Sequence, residues 1–415
     1  MGNYSYISTM TDKLKDIRRT LLASRWTLAL MSRANVFLVG GVVRDSILEK
    51  PIKDVDLVVE GLSFNEIKEL LTPFGKVSIH GESFSVLVFA PFGHEGEPFE
   101  IATPRMDRKI GEGHKGFEII TEGVTIEEDL KRRDFTINSI AMNLKTGEIL
   151  DPHCGICDLI DGILRATDLK AFSEDPLRIL RGIQFASRFG FVISDETLKL
   201  MQENAHLIEQ ITGERILDEF IKITQKKGDT KIAIELLHST GVDFHLFGRS
   251  AELFAMGNLD EISFFFLLGL ITDEDPHKFL KRRFKADNDL VKNVEVLDKI
   301  LGELQFGMEP EDEELRMILS KCFTRAPEVM DAVILPQRVK EVIDLMRVKA
   351  IPMNFGDLPI TGEDIMEITG FKPGPEIGKI QRRILEDALM LKFNWKDRDA
   401  GIKEIIKNSS QWFLK

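Results

Sequence analysis

The sequence predicts an α+β head followed by an all-helical remainder. Two observations carry this. Over roughly the first 150 residues, short β-branched runs alternate with helical segments. After about Arg165 the strand signal stops, and apolar residues recur at helical spacing. Strands first and helices after is an α+β pattern. The 415-residue length leaves room for about three domains.

The elements follow in order. NVFLVG (35–40) reads as a strand running into the glycine pair Gly40–Gly41, and VRDSIL (43–48) as a short helix. VDLVVEG (55–61) is β-branched and apolar and reads as a second strand. FNEIKELL (64–71) reads as a helix. KVSIH, FSVLVFA, PFEIAT and GEILD (76–80, 84–90, 98–103 and 147–151) read as strands. RMDRKIGEGHKGF (105–117) is polar and glycine-rich and reads as a mobile loop. DLKRRDFTINSIAMN (129–143) reads as helix. SEDPLRILRGIQFASRFG (173–190) reads as one helix, with Ser173 as N-cap, acids in the first turn and Gly190 at its stop. GERILDEFIKIT and DIMEITG continue the helical reading.

Within the second strand, Asp54 and Asp56 stand two apart, so alternation points both carboxylates to one face. Side by side in a partly apolar site they repel, and one protonates unless a cation lies between them. Hard oxygen ligands at that spacing suit Mg2+, which takes one or two protein carboxylates and completes its shell with water and substrate phosphates. A polar edge strand has the same pattern. The upstream residues favour the metal. Glycines between strand and helix let backbone N–H groups approach a phosphate, and a helix N-terminus favours anions. Arg44, one turn into that helix, can hold the same phosphates. The combination describes a site for a metal-bound nucleoside triphosphate. Glu100, on another predicted strand, is a candidate third acidic group; a solvent-facing glutamate is the alternative.

At 43% apolar and 30% charged residues, the composition is that of a soluble globular chain. The segment MGNYSYISTMTDKLKDIRR lacks the apolar core of a secretory signal. The longest apolar run, from Ile262 to Ile271, is too short to span a bilayer and reads as a buried helix. Three cysteines without a disulfide pattern fit a reducing cytoplasm. Cys154 and Cys157 form a C-x-x-C after His153, but no second ligand pair is spaced for zinc. They read as small loop residues. The formal net charge of −13 argues against broad, sequence-blind nucleic-acid binding. It leaves room for local basic faces at 131–133, 278–285 and Arg382–Arg383.

Three motifs stand in series: GGVVRD with KDVDLVV, then RRDFTINSIAMN, then EDPLRILRGIQFASRFGF. Their order and spacing resemble the tRNA nucleotidyltransferases (CCA-adding enzymes) and the related bacterial poly(A) polymerases. The resemblance runs through GERILDEFIK, over about the first 225 residues. ITGEDIMEITGFKPGPEIGKI resembles the tail of the same enzymes more loosely. The resemblance implies a polymerase-beta-like nucleotidyltransferase head over 1–165 and a helical neck with base recognition over 166–228. It further implies a helical body over 229–345 and a helical, tRNA-binding tail over 346–415. Asp54 and Asp56 would bind catalytic Mg2+, and Gly41 and Arg44 would hold the triphosphate. Arg133, Asp134 and Asn138 would line the nucleotide site. Asp175 and Arg178 would read the base, with Arg181 close by.

The base-reading pair also follows from chemistry. Asp175 and Arg178 are three apart and so share a helix face. Aspartate accepts hydrogen bonds and arginine donates them. Cytosine and adenine each offer an amino donor beside a ring-nitrogen acceptor; uracil and guanine offer a carbonyl beside an N–H. One Asp–Arg pair therefore accepts C and A, mismatches U and G, and needs no template. A helix-start carboxylate and a surface arginine are the alternative reading. Two departures from the family pattern stand out. Gln184 occupies a position where the family commonly has arginine. None of the eight histidines precedes an aspartate, so the phosphohydrolase activity of some relatives is not expected.

The implied activity is addition of C, C and A to tRNA 3′ ends from CTP and ATP. A poly(A) polymerase, a partial enzyme adding only CC or only A, and a catalytically silent RNA-binding protein are the alternatives. The glycine-rich segment 105–117 resembles the loop of full CCA-adding enzymes. The partners implied are tRNA, CTP and ATP, with no membrane.

Overall fold

The computed structural model describes residues 11–52, 54–80, 86–109, 117–251, 259–272, 274–304, 315, 318–319, 326–348, 358, 360–389, 397, 399–400 and 402–403. The chain divides into two compact units. One takes in the described residues up to Ile211 together with Leu236–Leu246; the other takes Thr212–Glu235 and the described residues from Phe247 onward.

Through the first of these, chain order runs α1 (Asp12–Leu22), α2 (Arg25–Met31), β1 (Asn35–Val39), α3 (Gly41–Ile47), β2 (Asp56–Glu60), α4 (Phe64–Leu71), β3 (Gly75–His80), β4 (Val86–Pro91), β5 (Phe99–Ala102), β6 (Met106–Lys109), β7 (Phe117–Ile120), α5 (Ile126–Lys131), β8 (Ala141–Asn143), β9 (Ile149–Leu150), α6 (Gly155–Asp161), β10 (Ile163–Leu164), α7 (Leu169–Glu174), α8 (Leu177–Phe189), β11 (Val192–Ile193) and α9 (Asp195–Asn204). Seven strands form one sheet in the order β3-β4-β5-β2-β1-β8-β9. β2 and β5 pair in parallel; the other neighbours are antiparallel. The central strands are covered on both faces, which is why VFLV and LVV are unbroken apolar runs. Phe37, Val39 and Val58 pack with Ile126 and Leu130 of α5. Trp26 of α2 meets the Phe89 and Phe99 rings at 5.1 and 5.0 Å.

Five local expectations need correction. β2 begins at Asp56, so Asp54 precedes the strand and is exposed. β2 pairs with β1 only as far back as Leu57–Leu38, because β1 turns into α3 beyond Val39. The segment 105–117 is not all loop: β6 pairs with β7, Met106 opposite Ile120, while 110–116 lie outside the described residues. The segment 129–143 yields only the end of α5, a 3-10 turn at Thr136–Asn138 and strand β8. Here the Thr136 amide bonds to the Arg165 carbonyl at 2.9 Å, and Ser139 Oγ donates to the Leu130 carbonyl at 2.8 Å. These long-range bonds capture groups that a continuing helix would use. Finally, 173–190 is two helices. Ser173 lies inside α7, and Pro176 is the N-cap of α8. Proline disfavours helical geometry in the residue before it, and Asp175 is extended, at φ −121°. The stop at Gly190 is as expected, at φ +69°. A two-residue strand, β11, pairs with β10 after the point where strands were expected to end.

The helices that follow are α10 (Gly213–Gln225), α11 (Thr230–Ser239), α12 (Val242–Phe247), α13 (Glu261–Leu270), α14 (Pro276–Phe279), α15 (Asn288–Leu304), α16 (Gln337–Val348), α17 (Gly362–Thr369) and α18 (Pro375–Leu389). The described residues of the second unit form helices and connecting turns, with no strand among them. Its core gathers around α13, whose residues Phe264–Leu268 are all buried. Phe220 meets Phe264 at 6.1 Å and Phe284 at 5.8 Å. No described helix is long and apolar enough to cross a membrane.

Candidate active site

The site grows from the β1–α3 turn. Gly40 joins them at φ +65°, a conformation that side-chain-bearing residues rarely adopt. A Cβ there would stand 2.8 Å from Arg133 Nη1. Gly41 opens α3, and a Cβ on it would meet only Arg44 Nη2, at 3.7 Å. The glycine that the backbone requires is therefore Gly40.

Beside this turn, the sheet brings two carboxylates together. Asp56 lies in parallel register with Glu100, so both project from the same face of neighbouring strands. They line a cleft of about 400 Å³ with Val39, Val58, Arg105, Asp129, Arg132 and Arg133. Burial, then Glu100 and more weakly Asp54, push the Asp56 carboxyl up to about 6, although Arg133 and Arg44 pull it down. A buried carboxylate whose proton affinity is raised by a neighbouring carboxylate suits a cation. Among the described residues no group of three or more His, Cys, Asp and Glu could hold a metal ion. Two carboxylates nevertheless meet the need of Mg2+, whose remaining ligands are water and phosphate oxygens.

The cleft lining is also basic. Asp129 is buried at the end of α5 and holds two arginines. Arg132 Nη2 stands 2.6 Å from Oδ1, and Arg133 Nη2 2.9 Å from Oδ2. Burial alone would raise the Asp129 carboxyl, but the two guanidiniums outweigh it and hold it below its ordinary value. The arginine heads are thereby fixed at the cleft.

A second polar chain, buried at Arg44, Asp45, Asp134 and Asn138, links α3 to α8. Arg181 Nη2 lies 2.6 Å from Asp134 Oδ2, and Asn138 Nδ2 donates to Asp134 Oδ1 at 2.9 Å. Burial opposes ionisation of Asp134, yet Arg181 and Asn138 hold its carboxyl down at about 2. Asn138 Oδ1 accepts from Arg44 Nη1 at 2.5 Å, and Arg44 Nε donates to Asp45 Oδ1 at 2.7 Å. Arg188 Nη2 reaches Asp45 Oδ2 at 3.3 Å. Arg44 is buried, with its guanidinium over the Phe185 and Phe189 rings at 5.3 and 5.0 Å.

Of the residues the sequence singled out, Asp56 and Arg133 line the cleft, and Glu100 joins them. Arg44, Asp134, Asn138 and Arg181 form the second polar chain. Arg178 Nη2 donates to the Arg132 carbonyl at 2.7 Å, which ties α8 to the basic lining of the cleft. Asp175 does not share a helix face with Arg178. It precedes α8, and its Oδ1 accepts from the Leu177 amide at 3.2 Å. Asp129, Arg132 and Asp45 were not anticipated. The D-x-x-R-R spacing at 129–133 is the signal that could have found the first two, since i,i+3 and i,i+4 residues meet on a helix. Cys154 and Cys157 are exposed free thiols away from the cleft lining.

Comparison with known proteins gives this arrangement a family. A poly A polymerase head-domain model matches residues 36–165. A model described as an RNA- and SrmB-binding site of polymerase A matches 190–248, and one for tRNA nucleotidyltransferase domain 2 matches 260–393. A multifunctional CCA protein of Nitrosomonas europaea is 45% identical over 188 residues, which are 44% of this chain and 42% of that protein. The match thus spans less than half the length of that relative. A CCA-adding enzyme of Lactobacillus delbrueckii subsp. bulgaricus is 30% identical over 366 residues, covering 84% of this chain and 88% of that enzyme. The crystal structure of the Bacillus stearothermophilus CCA-adding enzyme in complex with CTP shares the fold, with a TM-score of 0.67 at 22% identity over 97% of this chain and 99% of that one. The chain belongs to the tRNA nucleotidyltransferase family of CCA-adding enzymes.

Proposed function

We propose that the chain adds C, C and A to the 3′ end of tRNA, using CTP and ATP with Mg2+, in the cytoplasm. The observation that carries this reading is the in-register Asp56–Glu100 pair lining one cleft together with Arg132 and Arg133. Asp56 and Asp54, with Glu100 beside them, would hold the cation. A bound divalent cation stabilises the attacking and the leaving oxygens in phosphoryl transfer. Arg133, anchored by Asp129, meets triphosphate oxygens without having to be ordered first. The Gly41 amide and Arg44 belong to the same phosphate-binding turn. Arg44 shapes it from beneath, through Asp45 and Asn138.

Asp134 and Asn138 set the position of α8 through Arg181. Arg178 donates to the ring nitrogen of C or A, and Asp175 accepts from the amino group. We keep the division into a head at 1–165, neck at 166–228, body at 229–345 and tRNA-binding tail at 346–415.

The poly A polymerase description of the head model favours one second reading, polymerisation of A alone. Incubating tRNA that lacks its 3′ CCA with each nucleotide separately, then together, and sizing the products separates them. CTP alone should extend by two residues, ATP alone by none, and both by three. A long ladder with ATP alone would establish the second reading instead.

A further inference from the structure

Helix α8 is held at both ends. Near its start, Arg178 binds the Arg132 carbonyl and Arg181 binds Asp134. Near its other end a different device operates. The Phe185 and Phe189 rings stack at 6.0 Å with only 7° between their planes. Three cations surround Phe189: Arg188 at 4.6 Å, Lys50 at 4.8 Å and Arg44 at 5.0 Å from its centroid. A single buried carboxylate, Asp45, lies between two of them, taking Arg44 on Oδ1 and Arg188 on Oδ2. Arg188 depends on it most, since burial and the neighbouring Arg44 already draw this arginine below its ordinary value.

We propose that Asp45 and Arg188, with the Phe189 ring, are positioning residues for base selection: they fix the rotation of α8 against the Gly40–Gly41 turn. The inference rests on the assignment of Arg178 and its neighbours to base reading. Asp45 is contributed by α3, which opens at that turn, and Arg188 by the helix that carries the readers. Without Asp45, the buried Arg44 and half-buried Arg188 guanidiniums repel with no carboxylate between them, and α8 turns to separate them. A guanidinium stands roughly 6 Å from the helix axis, so a turn of about 10° moves it by ~1 Å, a misplacement sufficient to spoil an oriented contact. Asp56 and Glu100 lie on β2 and β5, and Arg133, just after α5, is anchored by Asp129, so these three keep their places.

The test is single-nucleotide incorporation by the full chain on tRNA lacking its last residues, comparing kcat/KM for all four triphosphates. Asp45→Asn and Arg188→Gln should each lower the preference for CTP and ATP over UTP and GTP about tenfold, and in Arg188→Gln, which leaves Asp45 and Arg44 in place, CTP turnover should fall less than about threefold. Arg188→Lys keeps the charge and should restore most of the preference. Phe189→Leu keeps an apolar side chain but loses the ring, and should show an intermediate loss even if Asp45→Asn fails to fold. Equal losses for all four triphosphates, or an unchanged preference, overturn the proposal and leave a purely structural ion pair. A wild type that prefers no nucleotide overturns the proposed function as well. A selective wild type with equally selective variants overturns this inference alone.

Discussion

Asp56 holds its charge against its surroundings. Burial and Glu100 raise its carboxyl from 3.8 to about 6 in the folded chain. Below pH 4 the group is protonated whether the chain is folded or not, so it costs nothing. Between pH 4 and 6 the unfolded chain releases the proton first, and stability falls. Above pH 6 the penalty is constant, at ~1–3 kcal/mol by the usual free energy per pH unit. Asp56→Asn should therefore stabilise the metal-free chain at pH 8 and leave it nearly unchanged at pH 3. Thermal unfolding in EDTA at the two values checks this. Added Mg2+ should stabilise the wild type and not the variant, which should also lose nucleotide transfer. A variant that is less stable than wild type at pH 8 in EDTA would remove the electrostatic basis of the site.

At the scale of elements, what was legible had a local cause. The β1 and β2 strands are apolar runs that carry their own signal. Helix α4 carries its capping box, Ser63 with Glu66, in its letters. The failures have long-range causes. Nothing local announces that Glu100 stands beside Asp56, because parallel register is set by pairing of distant strands. The 3-10 turn at Thr136–Asn138 depends on Arg165, beyond any local window. Asp175 is different: Pro176 was visible, and its restriction on the preceding residue could have broken the single helix in two.

The β1–α3 junction gives a contrasting pair of variants. Gly40→Ala meets both an unfavourable φ and Arg133, so it should cost about 1–3 kcal/mol in urea unfolding. It should also displace Arg133 and lower kcat. Gly41→Ala adds a methyl in ordinary contact inside a helix and should gain up to ~1 kcal/mol. If the Gly41 amide cradles phosphate, that same variant should raise the KM for CTP. Equal destabilisation by both substitutions would contradict the assignment of the required glycine to position 40.

At the scale of the whole molecule, a net charge of −13 repels a polyanion, so under the proposed function tRNA would be held by a local basic face. The run at 278–285 is a candidate, and the structure divides it. Lys278 pairs with Asp275, and Arg282 pairs with Glu274, so part of the run is neutralised by its own neighbours. Phe279, Leu280 and Phe284 are buried in the core of the second unit. Lys281 and Lys285 are exposed. Each lysine that meets a phosphate releases a counterion, and the salt dependence of binding counts such contacts at close to one unit of slope apiece. Replacing Lys281 and Lys285 together with alanine should weaken tRNA binding and lower the slope of log K against log salt by roughly one to two units. The fold should hold, because neither side chain is in the core, and the KM for CTP should not change. Filter binding across a salt series, beside nucleotide kinetics at one salt, separates the two effects. An unchanged slope would make this run a solvated face and move the search to Arg382 and Arg383, of which Arg383 is already drawn toward Asp387 at 3.9 Å.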